Sequence, residues 1–150
     1  MKNIIIVGAT LLAFSSVYGC SGVAKTGVKE SSEALPSLGS IAHVQWKLEE
    51  MNGEKIVSAP PTLMINGDSA SGFGGCNRYS SMIKETGPQE VTFGLMISTK
   101  MACPDEQMGV EDRYLENLGK VTRFSRPNGR LLLGWGDDTE HGQLIFSRDK

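Results

Sequence analysis

Two stretches of the sequence decide the fold: S-G-F-G-G-C-N-R-Y-S at residues 71–80 and F-G-L-M-I-S-T-K-M-A-C at residues 93–103. A polar turn around Gly87 and Pro88 separates them, so the two stretches are predicted to be neighbouring strands of one sheet. Glycines in the first stretch permit a bulge or a tight bend. Every odd-numbered residue over 91–97 is apolar, which predicts one regular strand with a buried face.

The rest of the sequence alternates short apolar runs with turn signals. Asn-Gly dipeptides at residues 52–53, 66–67 and 128–129 each lie between strand-like runs. Both residues tolerate the positive φ of a tight hairpin turn, so these dipeptides predict an antiparallel meander. Pro104, the acidic residues after it and apolar residues at helical spacing predict one α-helix at about residues 104–118.

These elements predict a mostly β fold, in which a curled antiparallel sheet closes into a small barrel accompanied by one α-helix. A two-layer α+β roll is the alternative. The chain of 150 residues is long enough for one such domain, predicted at residues 41–148, with an N-terminal appendage.

The N-terminal segment has the order of a secretory signal. Lys2 is its one basic residue, an apolar run covers residues 4–14, and small or polar residues follow up to Cys20. We expect residues 1–19 to be a signal peptide and residues 20–40 a flexible tether. Residues 17–20, V-Y-G-C, resemble the bacterial lipobox, which implies acylation of Cys20 and a lipid anchor there. The protein is then exported and membrane-anchored, facing the periplasm, with the outer membrane as the expected location. An uncleaved signal anchor and an ordinary signal-peptidase cut are the alternatives.

Composition and motifs argue against several classes of function. The formal net charge of −2 and the absence of a basic run predict no nucleic-acid partner. No Ser-His-Asp order, phosphate-binding loop or paired-carboxylate pattern stands out, which predicts a protein that is not an enzyme and needs no cofactor. His43 and His141 are isolated, and the acidic loop at residues 137–140 lacks the ligand spacing of a calcium loop, so no metal site is predicted.

Two cysteines remain after Cys20. An even pair in an exported domain is most simply a disulfide, which predicts a bond between Cys76 and Cys103. Free structural thiols and a redox or metal-binding pair are the alternatives. Redox pairs usually lie two residues apart at the start of a helix, a spacing that this pair does not have.

Residues next to the cysteines are the candidates for a binding surface. They are Asn77, Arg78, Tyr79, Thr99 and Lys100. The alternative interpretation is structural: Asn77 holds a bulge, Tyr79 packs in the core and Arg78 is solvated.

The same blocks resemble the META/HslJ family of small bacterial heat-shock-type lipoproteins. The resemblance rests on residues 75–80, 93–94 and 98–103, with W-K-L at 46–48 and L-L-L at 131–133 in the same order. The family usually has glycine at the position of Ser81 and arginine at that of Lys100. The resemblance implies a lipocalin-like barrel, exported and linked to envelope stress, and carries over no catalytic residues.

Three hypotheses for the function follow. The first is a lipid-anchored binding or envelope-maintenance module that holds a peptide or small ligand. The second is an inhibitor or assembly partner of another envelope protein, acting through an exposed strand edge. The third is a thiol-disulfide enzyme. A sizeable apolar cavity would favour the first hypothesis, and a filled core with an uncovered edge the second.

Overall fold

The computed structural model describes residues 35–137 and 139–149. The predicted signal peptide, the lipidation site Cys20 and the tether up to residue 34 lie outside this part of the chain, and the predicted domain limits stay a prediction. Short 3-10 turns cover Leu38–Ser40 and Pro127–Gly129, and α-helix α1 covers Asp105–Lys120. The strands, numbered in chain order, are β1 Trp46–Met51, β2 Glu54–Lys55, β3 Thr62–Asn66, β4 Ser69–Phe73, β5 Arg78–Gly87, β6 Glu90–Phe93, β7 Ile97–Ser98, β8 Arg123–Ser125, β9 Leu131–Gly136 and β10 His141–Arg148.

Eight of the strands close into an antiparallel barrel. Around the barrel they follow one another in chain order: β1, β3, β4, β5, β6, β8, β9 and β10. The last strand returns to the first, with Trp46 paired with Arg148, and so closes the ring. The short strands β2 and β7 lie outside the ring and pair with β1 and β5. The predicted mostly β barrel of lipocalin-like, up-and-down topology is therefore confirmed.

Two of the three Asn-Gly dipeptides adopt positive φ at both residues. Asn52 and Gly53 have φ values of 52° and 86°, and Asn128 and Gly129 have values of 54° and 76°. They connect β1 with β2 and β8 with β9, where the twist of the strands favours such turns. The meander thus follows from local turn chemistry.

Buried side chains fill the inside of the barrel. Alternate residues of the strands point inward, as in β5, where Tyr79, Ser81 and Ile83 are buried between exposed neighbours. Helix α1 adds Tyr114 and Leu118 to the same core. The largest fully buried side chains include Trp46, Tyr114, Phe124, Phe146, Leu48, Leu63, Ile65, Leu131 and Leu133.

The helix lies close to its predicted position and differs at both ends. Pro104 is the N-cap residue and has extended backbone angles, so the first helical residue is Asp105. The helix continues past the predicted end at about residue 118, through Gly119, and ends at Lys120. Gly119 lies on the exposed side, where nothing forces a left-handed cap, and Val121 instead closes the last turn by donating its N–H to the Leu118 carbonyl.

The prediction of one regular strand over residues 91–97 is wrong at its C-terminal half. Strand β6 ends at Phe93. Gly94 still donates its N–H to the Met82 carbonyl at 2.8 Å in the register of β6, whereas its own carbonyl accepts the Ser81 hydroxyl at 3.0 Å. The chain rejoins β5 only as β7, where Ser98 pairs with the inward-facing Tyr79. This shift by one residue turns the odd-numbered Ile97 outward.

Within residues 35–137 and 139–149, no helix is long and apolar enough to cross a membrane.

Candidate functional site

The cysteine-containing stretches meet at one end of β5. Cys76, just before β5, and Cys103, just before α1, form a disulfide with a Cα–Cα distance of 5.9 Å. The predicted disulfide is thus present in the structure. It ties the start of the helix to the loop that follows β4.

A buried carboxylate completes this junction. Glu111 of α1 accepts hydrogen bonds from the backbone N–H groups of Cys76, at 3.1 Å, and of Asn77. Its second oxygen accepts the Asn77 side-chain amide at 2.9 Å. The loop approaches the helix this closely because residue 74 is glycine: a Cβ on Gly74 would lie 2.9 Å from the Glu111 side chain. We call Cys76, Cys103, Asn77 and Glu111 the buried junction.

Asn77 joins a third segment to the junction. Its side-chain oxygen accepts the Thr99 hydroxyl at 2.9 Å and the Met101 N–H at 2.7 Å. One amide side chain thereby connects β5, the helix and the segment before Cys103. The sequence points to Asn77 but not to Glu111, whose helical spacing matches that of the apolar core residues. The one signal in the sequence is an acidic residue on an otherwise apolar helix face.

Tyr79 belongs to the core rather than to the surface. Its hydroxyl lies 2.7 Å from that of Tyr114 and donates to the Thr62 carbonyl at 3.0 Å. Burial raises the pKa of both phenols well above the ordinary value, which keeps them protonated. The pair therefore fastens the helix to β3 and β5.

The five candidate binding residues divide into two groups. Asn77 and Tyr79 are buried, as the structural interpretation of these residues expects. Arg78, Thr99 and Lys100 are exposed, and Arg78 lies beside Thr99 because the Thr99 N–H donates to its carbonyl at 3.0 Å. The five residues therefore do not form a single surface.

An apolar surface lies next to the exposed group. Met82 of β5, Leu95 and Ile97 are 64%, 85% and 66% exposed. Register places Ile97 beside Ser80, two residues from Met82 on the outward face of β5, and a Cβ on Gly94 would lie 3.5 Å from the Met82 Cβ. We call Met82, Leu95 and Ile97 the outer apolar face.

Small residues extend this face across the sheet. Strand register aligns four outward residues of β3, β4, β5 and β7 in a row: Met64, Ser71, Ser80 and Ile97. A shallow groove of about 380 Å³ continues from the row, with Met64, Ser71, Phe73 and Arg78 among its lining residues. The small side chains of Ser71 and Ser80 form the centre of the row, and the larger apolar side chains of Met64 and Ile97 stand on either side of it.

Ser81 helps to create the outward turn of this segment. Its buried hydroxyl lies 3.0 Å from the carbonyl oxygens of both Met82 and Gly94. The contact holds Gly94 where it leaves the β6 ladder. A glycine at position 81 would lack this hydrogen bond.

Neither histidine belongs to the buried junction or to the outer apolar face. His43 and His141 are exposed, and neither accompanies the disulfide. In the part of the chain that the structure describes, no group of three or more His, Cys, Asp or Glu side chains could hold a metal ion.

Comparison with known proteins gives a family and a fold. The family model of the META domain matches residues 39–150. A solution structure of a protein from Burkholderia xenovorans is 24% identical, with a TM-score of 0.61 over 75% of this chain and 86% of that chain. A second solution structure is 23% identical, with a TM-score of 0.58 over 75% of this chain and 94% of that chain. These structures share the fold. No curated protein matches the chain significantly.

Proposed function

Because the chain belongs to the META domain family, we propose that it is a non-enzymatic, lipid-anchored protein of the cell envelope that binds another protein. Membership in this family suggests a role in the envelope or in stress. The predicted acylation of Cys20 would hold the domain on a membrane facing the periplasm, with the outer membrane as the expected one. The observation that carries the binding proposal is the outer apolar face.

Exposed apolar side chains at this density favour contact with a partner. Met82, Leu95 and Ile97 are exposed on β5 and on the segment that pairs with it, on a closed barrel whose other apolar strand residues mostly point inward. Fully burying each of them is worth about 1.5–3 kcal/mol. Such clusters on soluble domains commonly mark interaction sites.

A protein partner fits the geometry better than a small ligand. The interior of the barrel is filled by its own side chains, which leaves the outer surface for recognition. Among the described pairings, β7 pairs only with β5, so its other edge carries backbone groups without a strand partner. A filled core with an uncovered edge supports the role of an inhibitor or assembly partner.

The cysteines support a structural role rather than thiol-disulfide exchange. Cys76 is 2% exposed, its backbone N–H is bound by Glu111, and Cys103 is half-buried. An attacking thiolate needs access to a sulfur atom, and burial limits that access. The two phenols of the core are likewise buried and protonated, so neither offers a nucleophile at the surface.

The proposal is tested by charge substitutions on the outer apolar face. Met82→Glu and Ile97→Glu are introduced into the full chain in cells, and survival under envelope stress is compared with wild type. An interface built on these side chains loses about 2 kcal/mol or more when one is replaced by a charge, which weakens binding by roughly 30-fold. We expect both variants to lose protection while the amount of folded protein stays unchanged.

Val57→Glu is the matched control, because Val57 is 90% exposed and lies away from this face, in the loop between β2 and β3. It introduces the same charge in place of an apolar side chain and is expected to protect like wild type. Full protection by Met82→Glu and Ile97→Glu at wild-type protein levels would contradict the proposal. Equal loss in Val57→Glu would show that the effect does not belong to this face.

A further inference from the structure

A second surface feature lies on the outer side of β8, β9 and β10. It is a cleft of about 680 Å³, lined by Arg123, Gly134, His141 and Gln143 among others. Register places both Arg123 and Gln143 beside Gly134, one from each neighbouring strand. Because Gly134 has no side chain, its backbone forms the floor of the cleft between the Arg123 and Gln143 side chains.

The Arg123 side chain is held in place over this floor. Its two terminal nitrogens donate to the backbone carbonyls of Gly136, at 3.2 Å, and Trp135, at 3.4 Å. A Cβ on Gly134 would lie only 3.2 Å from Nε and 3.6 Å from Cγ of the arginine, so the side chain lies flat on the glycine. The guanidinium is oriented before any ligand arrives, which lowers the entropic cost of binding.

Among the residues that the structure describes, no carboxylate forms an ion pair with Arg123. Four ion pairs occur within residues 35–137 and 139–149; their cations are Arg113, Lys120 twice, and Arg130. A guanidinium has five N–H groups, and the two carbonyl contacts leave three for another acceptor.

Asn52 adds a neutral donor at the same cleft. Its side-chain oxygen accepts the Gln143 N–H at 3.0 Å, and its backbone N–H donates to the Gln143 carbonyl at 2.9 Å. The amide oxygen is thus engaged, which leaves the amide nitrogen for a ligand. Gly142 permits this approach, because a Cβ there would lie 2.6 Å from the Asn52 oxygen.

We propose that this cleft binds a carboxylate group, held by the Arg123 guanidinium with the Asn52 amide as a second donor. A planar carboxylate matches the fork of the guanidinium and can accept two parallel hydrogen bonds. The site is separate from the outer apolar face and does not depend on the protein-binding function proposed above.

The charge of the cleft favours a carboxylate over a phosphate. Asp137 also lines the cleft, and hydrogen bonds, first from the Thr139 hydroxyl and then from the backbone N–H groups of Thr139 and Glu140, lower its pKa to about 2. Its ionised carboxylate repels any anion. A phosphate monoester carries about twice the charge of a carboxylate near neutral pH, so it is repelled more strongly.

The test is an NMR titration of the full chain, labelled with ¹⁵N and held in an uncharged detergent. The probes are N-acetylglycine, which has a terminal carboxylate, its uncharged amide and inorganic phosphate. We expect N-acetylglycine to shift the Gly134 and Gly136 amide signals and the Arg123 Nε–H signal saturably. The amide should cause no saturable shift, and phosphate should bind more weakly.

Arginine variants assign the site. Arg123→Gln removes the charge and is expected to weaken N-acetylglycine binding at least about tenfold. Arg113→Gln removes one charge from an exposed pair on the helix and should leave affinity unchanged. Arg123→Lys keeps the charge without the fork and should bind at least about threefold more weakly than wild type.

Several results would overturn the proposal. They are shifts that do not saturate, equal shifts with the amide, tighter binding of phosphate, and wild-type affinity in Arg123→Gln or Arg123→Lys. The amide spectrum of each variant outside the cleft shows whether the barrel is intact, so loss of binding is separated from loss of fold.

Discussion

Apart from Glu111, the residues of the buried junction come from the same stretch of chain as the outer apolar face, yet the two differ in almost every property. The cysteines and Asn77 of the junction stand out in the sequence, and the structure uses them to fasten a helix to a barrel. The outer apolar face consists of ordinary Met, Leu and Ile residues, of which Leu95 and Ile97 are exposed against expectation. The comparison teaches that a distinctive motif can serve the fold while the candidate binding surface has no motif at all.

The largest effect is expected from the disulfide. Cys76→Ala with Cys103→Ala opens a loop of 27 residues, which costs about 3–4 kcal/mol of unfolding free energy in the chain-entropy model. Urea unfolding of the full chain in an uncharged detergent measures this loss, and wild type with reductant should show a similar one. A loss below about 1 kcal/mol would mean that Glu111 and Asn77 hold the junction without the bond.

Removing the buried carboxylate should have the next largest effect. Glu111→Ala leaves the N–H groups of Cys76 and Asn77 and the Asn77 amide without their acceptor, at a cost of about 3 kcal/mol. Asp112→Ala is the matched control on the same helix, where the exposed side chain should contribute less than about 0.5 kcal/mol. Equal losses of unfolding free energy in both variants would show that Glu111 does not stabilise the junction.

A smaller effect is expected from the phenol pair beside the junction. Tyr79→Phe removes the contact with the Tyr114 hydroxyl and the bond to the Thr62 carbonyl, and should cost about 1 kcal/mol. The double variant with Tyr114→Phe should lose less than the sum of the single variants, because the two hydroxyls share one contact. Strictly additive losses would show that the hydroxyls act independently.

The smallest effect on stability is expected at the outer apolar face. Met82→Glu and Ile97→Glu change side chains that are about two-thirds exposed, so each should alter the unfolding free energy by less than about 0.5 kcal/mol. Their effect should appear only in stress protection. A loss of stability comparable to that of Glu111→Ala would make this face part of the fold and would break the comparison.

Much of the fold could be predicted because its signals are local. Asn-Gly turns, alternation within strands and one amphipathic helix all depend on residues close together in the sequence, and the barrel follows from joining them. The strand beyond Phe93 was predicted wrongly for a physical reason. Its alternation continues through Ile97, but the pairing with β5 shifts by one residue between Phe93 and Ile97, which reverses the faces.

The site could be predicted only in part. The pairing of Cys76 with Cys103 follows from counting cysteines, whereas the role of Glu111 depends on a contact 34 residues away that no local pattern records. The Arg123 cleft depends on register between three strands, which brings Gly134 beneath the guanidinium. Contacts of this kind appear only once the barrel is closed.

The pairing of the first strand with the last sets an order on folding. Every other neighbour around the barrel is also the next barrel strand along the chain, but Trp46 of β1 meets Arg148 of β10 across about 100 residues. Because the chain is synthesised from its N-terminus, the edge of β1 that pairs with β10 stays open until this last strand has been made. From loop-closure entropy we expect this seam to be the last to form. Until then the unpaired edge is the point at which incomplete chains are most exposed to mispairing with one another.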